Sequence, residues 1–111
     1  MMKILKADVE RLVQEEYARA SDQHGARFNS PHEAYSVMKE EFEEAVAECN
    51  IVNGVLNVEY WNSVKQDSDY IGNKVAGEIQ KYAINAACEM IQLAAMALKA
   101  QKGYGNEEGQ V

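Results

Sequence analysis

The stretch Ser30-Pro31-His32-Glu33, followed by Glu40-Glu41-Phe42-Glu43-Glu44, decides how this chain is read. The first four residues spell a helix start. Ser30 can accept a first-turn N–H as N-cap, Pro31 suits the first helical position, and Glu33 can reach back to close a capping box. The acidic run then falls within two turns of the same helix. So much like charge calls either for a solvated face or for a cation to receive it.

Outward from that start, the apolar phase predicts three helices. Ile4, Leu5, Val9, Leu12, Val13 and Tyr17 recur at three and four, predicting a first helix over about 3–20 with one buried face. Residues 21–29 read as a loop, with Gly25 as a helix stop. Phe28 lies just outside the position for a hydrophobic staple with Ala34 or Tyr35. Beyond the acidic run, Cys49, Val52, Leu56, Tyr60 and Val64 keep helical spacing. They predict one long, bent second helix to about Lys65, with a break or strand pair at Asn53-Gly54 as the alternative. Residues 66–69 form a polar connector, with Ser68 or Asp69 as the next cap. A third helix over about 70–102 carries Ile71, Val75, Ile79, Tyr82, Ala86, Met90, Leu93 and Ala97 in phase, and Gly103-Tyr104-Gly105-Asn106 ends it.

The expected fold is all-α: an elongated bundle made of a long antiparallel helix hairpin plus the N-terminal helix. One domain over 1–102 is followed by a flexible tail, 103–111, frayed over 107–111. A helix of ~35 residues is ~50 Å long. Two of them expose more apolar face than so small a chain can cover, so assembly as a homo-oligomer, dimer or tetramer, is expected.

Composition narrows the function. With 47% hydrophobic and 26% charged residues the chain is ordinary for a globular domain. A net charge of −7 argues against DNA and anionic membranes. It fits a protein that meets polyanions through a bound metal ion. Cys49 and Cys88 lack paired ligand spacing and read as reduced, helix-packed thiols of a cytoplasmic protein. The early charges of the N-terminus are unlike a signal peptide, and no apolar run is long enough to span a bilayer.

Glu41 and Glu44 share a helix face, with Glu48 a turn further on and Glu40 at its flank. Glu89 and Gln92 repeat the i, i+3 spacing on the third helix. Glu44 and Glu89 stand about equally far from the connector, so an antiparallel hairpin brings the two pairs face to face. Glu89 sits in an apolar stretch, Ala86 to Met96, where a carboxylate needs pairing, neutralisation or a metal. Four such oxygen ligands suit Mg²⁺, or Mn²⁺ in its place. A solvated face remains the alternative on spacing alone.

Glu40-Glu41-x-x-Glu44 followed by Glu89-x-x-Gln92 resembles the paired signature of the all-α MazG-like nucleoside triphosphate pyrophosphohydrolases, E-E-x-x-E then E-x-x-D. The flanking text, Phe28 to Tyr35 and Ile91 to Ala97, is similar to small phage and prophage members. The resemblance covers about residues 26 to 100. It implies Mg²⁺-dependent cleavage of a (d)NTP to (d)NMP and pyrophosphate in a dimer or tetramer. Glu41, Glu44 and Glu89 would hold metal, and Glu40 would support it or, with Glu41, help activate water. Gln92 takes the aspartate's place and offers a carbonyl but no charge. A non-catalytic, signal-sequestering nucleotide binder and a helical oligomerisation module are the competing readings. Asn29 and His32 at the mouth of the second helix, with Arg27 and Lys81, are candidate nucleotide contacts. Trp61 reads as a helix-interface aromatic rather than a base-stacking one.

Overall fold

The computed structural model describes residues 2–105. The described residues form four α-helices and one π-helical stretch in the order α1 (Met2–His24), α2 (Pro31–Gly54), the π segment (Val55–Tyr60), α3 (Trp61–Lys65) and α4 (Asp69–Gln101). No strand is present among them. They divide into two compact units, one made of the chain to Phe42 and from Met90 onward, the other of Glu43–Glu89.

In the first unit α1 runs past the loop start expected at Ser21, reaching His24. Its stop is the expected Gly25, at φ +90°, whose N–H donates to the Ser21 carbonyl (2.9 Å). Only glycine takes that backbone conformation without strain. The α1 stripe is covered only towards its C-terminal end. Ala20 is buried and Val13 and Tyr17 are half-buried, whereas Ile4, Leu5, Val9 and Leu12 are exposed. The expectation of one buried face therefore fails over the first half of α1, whose apolar side chains stay exposed. Tyr17 donates its hydroxyl to the Ala26 carbonyl (3.1 Å), pinning the loop.

Helix α2 starts where the sequence places it. The Glu33 N–H donates to Ser30 Oγ at 3.1 Å. The return half of the cap differs from expectation: Glu33 accepts from the Asn29 N–H (3.0 Å) and the Asn29 side-chain amide (3.2 Å), one residue earlier than Ser30. Phe28 and Ala34 are buried, while Tyr35 is exposed. The chain after α4 is also held. Tyr104 forms an isolated parallel bridge with Phe28, and the Gly105 N–H donates to the Phe28 carbonyl at 2.8 Å. Two residues expected in the tail are thus fixed by backbone bonds; the fraying expected at 107–111 lies outside the described residues.

The second unit is a helical hairpin. Backbone dihedrals stay helical through Gly54, Tyr60 and Trp61, so the chain passes Asn53-Gly54 without a break. The passage is a π segment rather than an α-helix. Asn57 strengthens it by donating its amide to the Asn53 carbonyl (3.0 Å) and to Asn53 Oδ1 (2.7 Å). A π turn takes in an extra residue and so resets the phase of the helix. Val55 and Ser63, eight residues apart, are both buried; with one residue absorbed they fall two α-turns apart, on one face. The same reset explains why Leu56 and Val64 of the expected stripe are exposed. Trp61 is exposed too, so the interface expected for it is not found inside its own unit.

The hairpin closes through Asp67, at φ +52°, and Ser68, whose Oγ accepts the Ile71 N–H (3.2 Å) as cap of α4. Above this turn α3 and α4 approach closely. A methyl group built on Gly72 would meet Ser63 Oγ at 3.3 Å, and Ser63 turns its hydroxyl inward to the Tyr60 carbonyl (2.6 Å). Val75 and Ala86 line the α4 side of this unit's core, and Ala45 and Val55 the other. Both cysteines are free thiols but exposed, not packed between helices.

Candidate metal centre

Three glutamates meet. Glu41, Glu44 and Glu89 each offer a carboxylate oxygen, and these atoms lie within 4.8 Å of one another. Two causes set this arrangement. Glu41 and Glu44 are one turn apart on α2, which aligns them on a face. The hairpin then returns α4 so that Glu89 arrives opposite Glu44, as their equal distances from the connector lead one to expect.

The electrostatics are those of a like-charge site. The Glu44 carboxyl is held above its ordinary value, first by its hydrogen bond with the Glu89 side chain and then by the negative charge there, with a smaller contribution from burial. A second carboxylate so close disfavours the charged form of Glu44. A divalent cation bound there would relieve that repulsion.

Glu48, a turn beyond Glu44, adds to the same face. Its Oε2 is buried and has no hydrogen-bond partner among the described residues. The sequence marks Glu48 as sharing the face but not as a ligand; the i, i+4 spacing from Glu44 is the signal that could have singled it out. The donor set therefore fits a hard, oxygen-preferring cation: three clustered carboxylates, and an unsatisfied carboxylate oxygen one turn away.

The other expected residues are placed as follows. Glu40 is exposed on the flank of α2, and Gln92 is half-buried on α4, one turn after Glu89. Asn29 and His32 are exposed at the start of α2; His32 precedes Glu41 by nine residues, ~14 Å along the helix. Asn29 is committed to Glu33. Arg27 is half-buried in the loop. Lys81 is exposed, with its ammonium 5.3 Å from the ring centroid of its neighbour Tyr82, and lies two turns before Glu89 on α4.

A second concavity, an open cleft of about 440 Å³, lies at the closed end of the hairpin, lined by Tyr60, Ser63, Asp67, Asp69 and Asn73 among others. The twenty residues of α4 between Asp69 and Glu89 span ~30 Å, so the cleft and the carboxylates are separate features. Comparison of the chain with protein-family models, with curated proteins and with solved structures found no match. No helix among the described residues is long and apolar enough to cross a membrane.

Proposed function

We propose that the protein is a Mg²⁺-dependent nucleotide pyrophosphohydrolase, of the MazG-like type its motifs resemble, cleaving (d)NTP to (d)NMP and pyrophosphate. The observation that carries this reading is the gathering of Glu41, Glu44 and Glu89 within 4.8 Å, with the Glu44 carboxyl held above its ordinary value by Glu89. A solvated acidic face has no need to bring carboxylates from two helices together. Glu41, Glu44 and Glu89 would hold Mg²⁺ or Mn²⁺, with Glu48 Oε2 and the Gln92 carbonyl as further oxygen donors. Bound there, the ion would neutralise charge on the phosphates and lower the pKa of a water molecule. Glu40, exposed next to Glu41 on α2, would accept the proton of the attacking water. Arg27, Asn29, His32 and Lys81 are the side chains to test as nucleotide contacts.

Gln92 favours a second reading, a nucleotide binder without turnover, because glutamine supplies neither charge nor base where the motif has aspartate. The exposed apolar side chains of α1, Ile4, Leu5, Val9 and Leu12, support self-association, as a dimer or tetramer within an elongated bundle. The deciding experiment measures pyrophosphate release from a nucleotide panel with and without Mg²⁺. Turnover that needs Mg²⁺ and disappears in Glu41→Gln establishes the enzyme. Nucleotide binding without release selects the binder, and binding of neither metal nor nucleotide ends both readings.

A further inference from the structure

The open cleft at the closed end of the hairpin lies wholly within the second unit, and the metal reading of the glutamates does not use it. Its volume of about 440 Å³ falls within the ~300–1,000 Å³ typical of small-molecule sites. Part of this room comes from Gly72. A methyl group built there would stand 3.3 Å from Ser63 Oγ and 3.9 Å from Tyr60 Cε2. The lining here is thus bare backbone beside an aromatic ring, with Val64 and Ala76 as further apolar residues.

The polar lining is chemically one-sided. Ser63 gives its hydroxyl to the Tyr60 carbonyl (2.6 Å) and Ser68 accepts the Ile71 N–H (3.2 Å). That leaves Asp67, Asp69 and Asn73, and no lysine or arginine is among the lining residues. Asp67 and Asp69 enter no ion pair among the described residues, although Lys65 and Lys74 stand close by in sequence. The positive end of α4 is equivalent to about half a charge, so it offsets only part of two carboxylates. What remains is a cleft that combines negative charge and hydrogen-bond acceptors with apolar side chains.

We propose that this cleft binds a small organic ammonium ion. The charged end of a primary amine meets Asp67 and Asp69, and its alkyl part lies against Tyr60, Val64 and Ala76. An ammonium carries three donors and no acceptor, which suits a lining of carboxylates and an amide carbonyl. A bare divalent ion would leave the apolar lining unused, and an anion would be repelled. The site is independent of the proposed metal centre at Glu41, Glu44 and Glu89.

The test titrates the full-length protein at physiological salt, which screens the long-range attraction of any cation to a chain of net charge −7. The probes are butylammonium, its neutral counterpart butanol, and Mg²⁺. NMR follows the Val64 and Ala76 methyls for the cleft, and the Ala45 methyl, next to Glu44 in sequence, for the carboxylate cluster. Butylammonium should shift the Val64 and Ala76 signals saturably and leave Ala45 unmoved, and butanol should move none of them. Asp67→Asn/Asp69→Asn should weaken butylammonium about tenfold or more, and asparagine tolerates the positive φ of residue 67. The proposal is overturned by cleft signals that butylammonium leaves unmoved or shifts without saturation, or that butanol shifts equally. Undiminished binding by the double variant also overturns it. So does Mg²⁺ saturating the same signals more tightly than butylammonium, which would make the cleft a metal site. The titrations of wild-type protein answer whether or not the variant folds.

Discussion

Helices α1 and α2 both carry several glutamates, and the outcomes are opposite. On α1, Glu16 binds Arg19 through a two-point hydrogen-bonded ion pair, and Arg11 bridges Asp8 and Glu15. The Arg19 guanidinium holds the Glu16 carboxyl below its usual value. On α2, Glu44 finds a second carboxylate in Glu89 and is held above its usual value. The same side chain meets a cation of its own helix in one case and a second carboxylate in the other. The difference teaches that an acidic run is uninformative until its partners are known. Where the chain itself supplies them the charge is structural, and where it supplies more acid the counter-charge has to come from outside.

Breaking the α2 cluster should have the largest effect. Glu41→Gln or Glu89→Gln is expected to lower kcat/KM for pyrophosphate release at least ~100-fold, ~2.7 kcal/mol of transition-state stabilisation. Steady-state assays at saturating Mg²⁺ read this directly, and full activity in either variant would place α2 with α1 as a solvated surface. Next in size is the metal itself. At a hundredfold excess over its Kd, Mg²⁺ should stabilise the wild type by ~2.7 kcal/mol, seen as a rise in Tm. Glu44→Gln/Glu89→Gln should lose that rise, whereas Glu16→Gln should keep it.

Sharpening the contrast calls for adding charge rather than removing it. Gln92→Asp restores the carboxylate of the resembled motif and should tighten Mg²⁺ by roughly tenfold, since affinity follows ligand charge. Calorimetry checks this, and unchanged affinity would remove Gln92 from the ligand set.

The pH responses should run in opposite directions. Glu44, with its folded-state pKa raised, contributes stability that is fully present below the unfolded carboxylate range and is lost as pH rises through the folded value. Mg²⁺ competes with that proton, so its affinity should weaken as pH falls through the same window. Glu16, with its folded-state pKa lowered, contributes stability above the unfolded value that is lost as pH falls through the folded one. Metal-free unfolding across pH, with Glu44→Gln and Glu16→Gln each flattening its own limb, tests the pair of signs. The smallest effect is Arg19→Gln. This exposed pair should cost under ~1 kcal/mol by denaturant unfolding and leave turnover unchanged.

What the sequence made legible was local. The caps at Ser30 and Ser68, the stop at Gly25 and the α4 limits follow from short-range backbone chemistry, and each lies within a residue or so of its expected place. The encounter of Glu44 with Glu89 followed from counting residues on either side of a turn. What stayed hidden needed information that periodicity lacks. A stripe of apolar residues on α1 looks the same whether or not anything covers it. Glu33 bonds to Asn29 rather than Ser30, a choice between adjacent N–H groups that motif spacing alone does not make. The exposure of Leu56 and Val64 was illegible because an unbroken helical pattern assumes a constant pitch.

That change of pitch carries its own consequence for how the chain tolerates length change. Residues 55–60 behave as an α-helix with one residue inserted. Deleting exposed Leu56 should shorten the stretch to ordinary α-helix while leaving Ser63 against Gly72 and the turn at Asp67 undisturbed. The same deletion a few positions later, inside α3, would rotate Ser63 off that contact. In an alignment against any hairpin of regular pitch, the gap belongs inside 55–60, upstream of Trp61. Glu44 and Glu89 would then remain paired, although the number of residues between them differs.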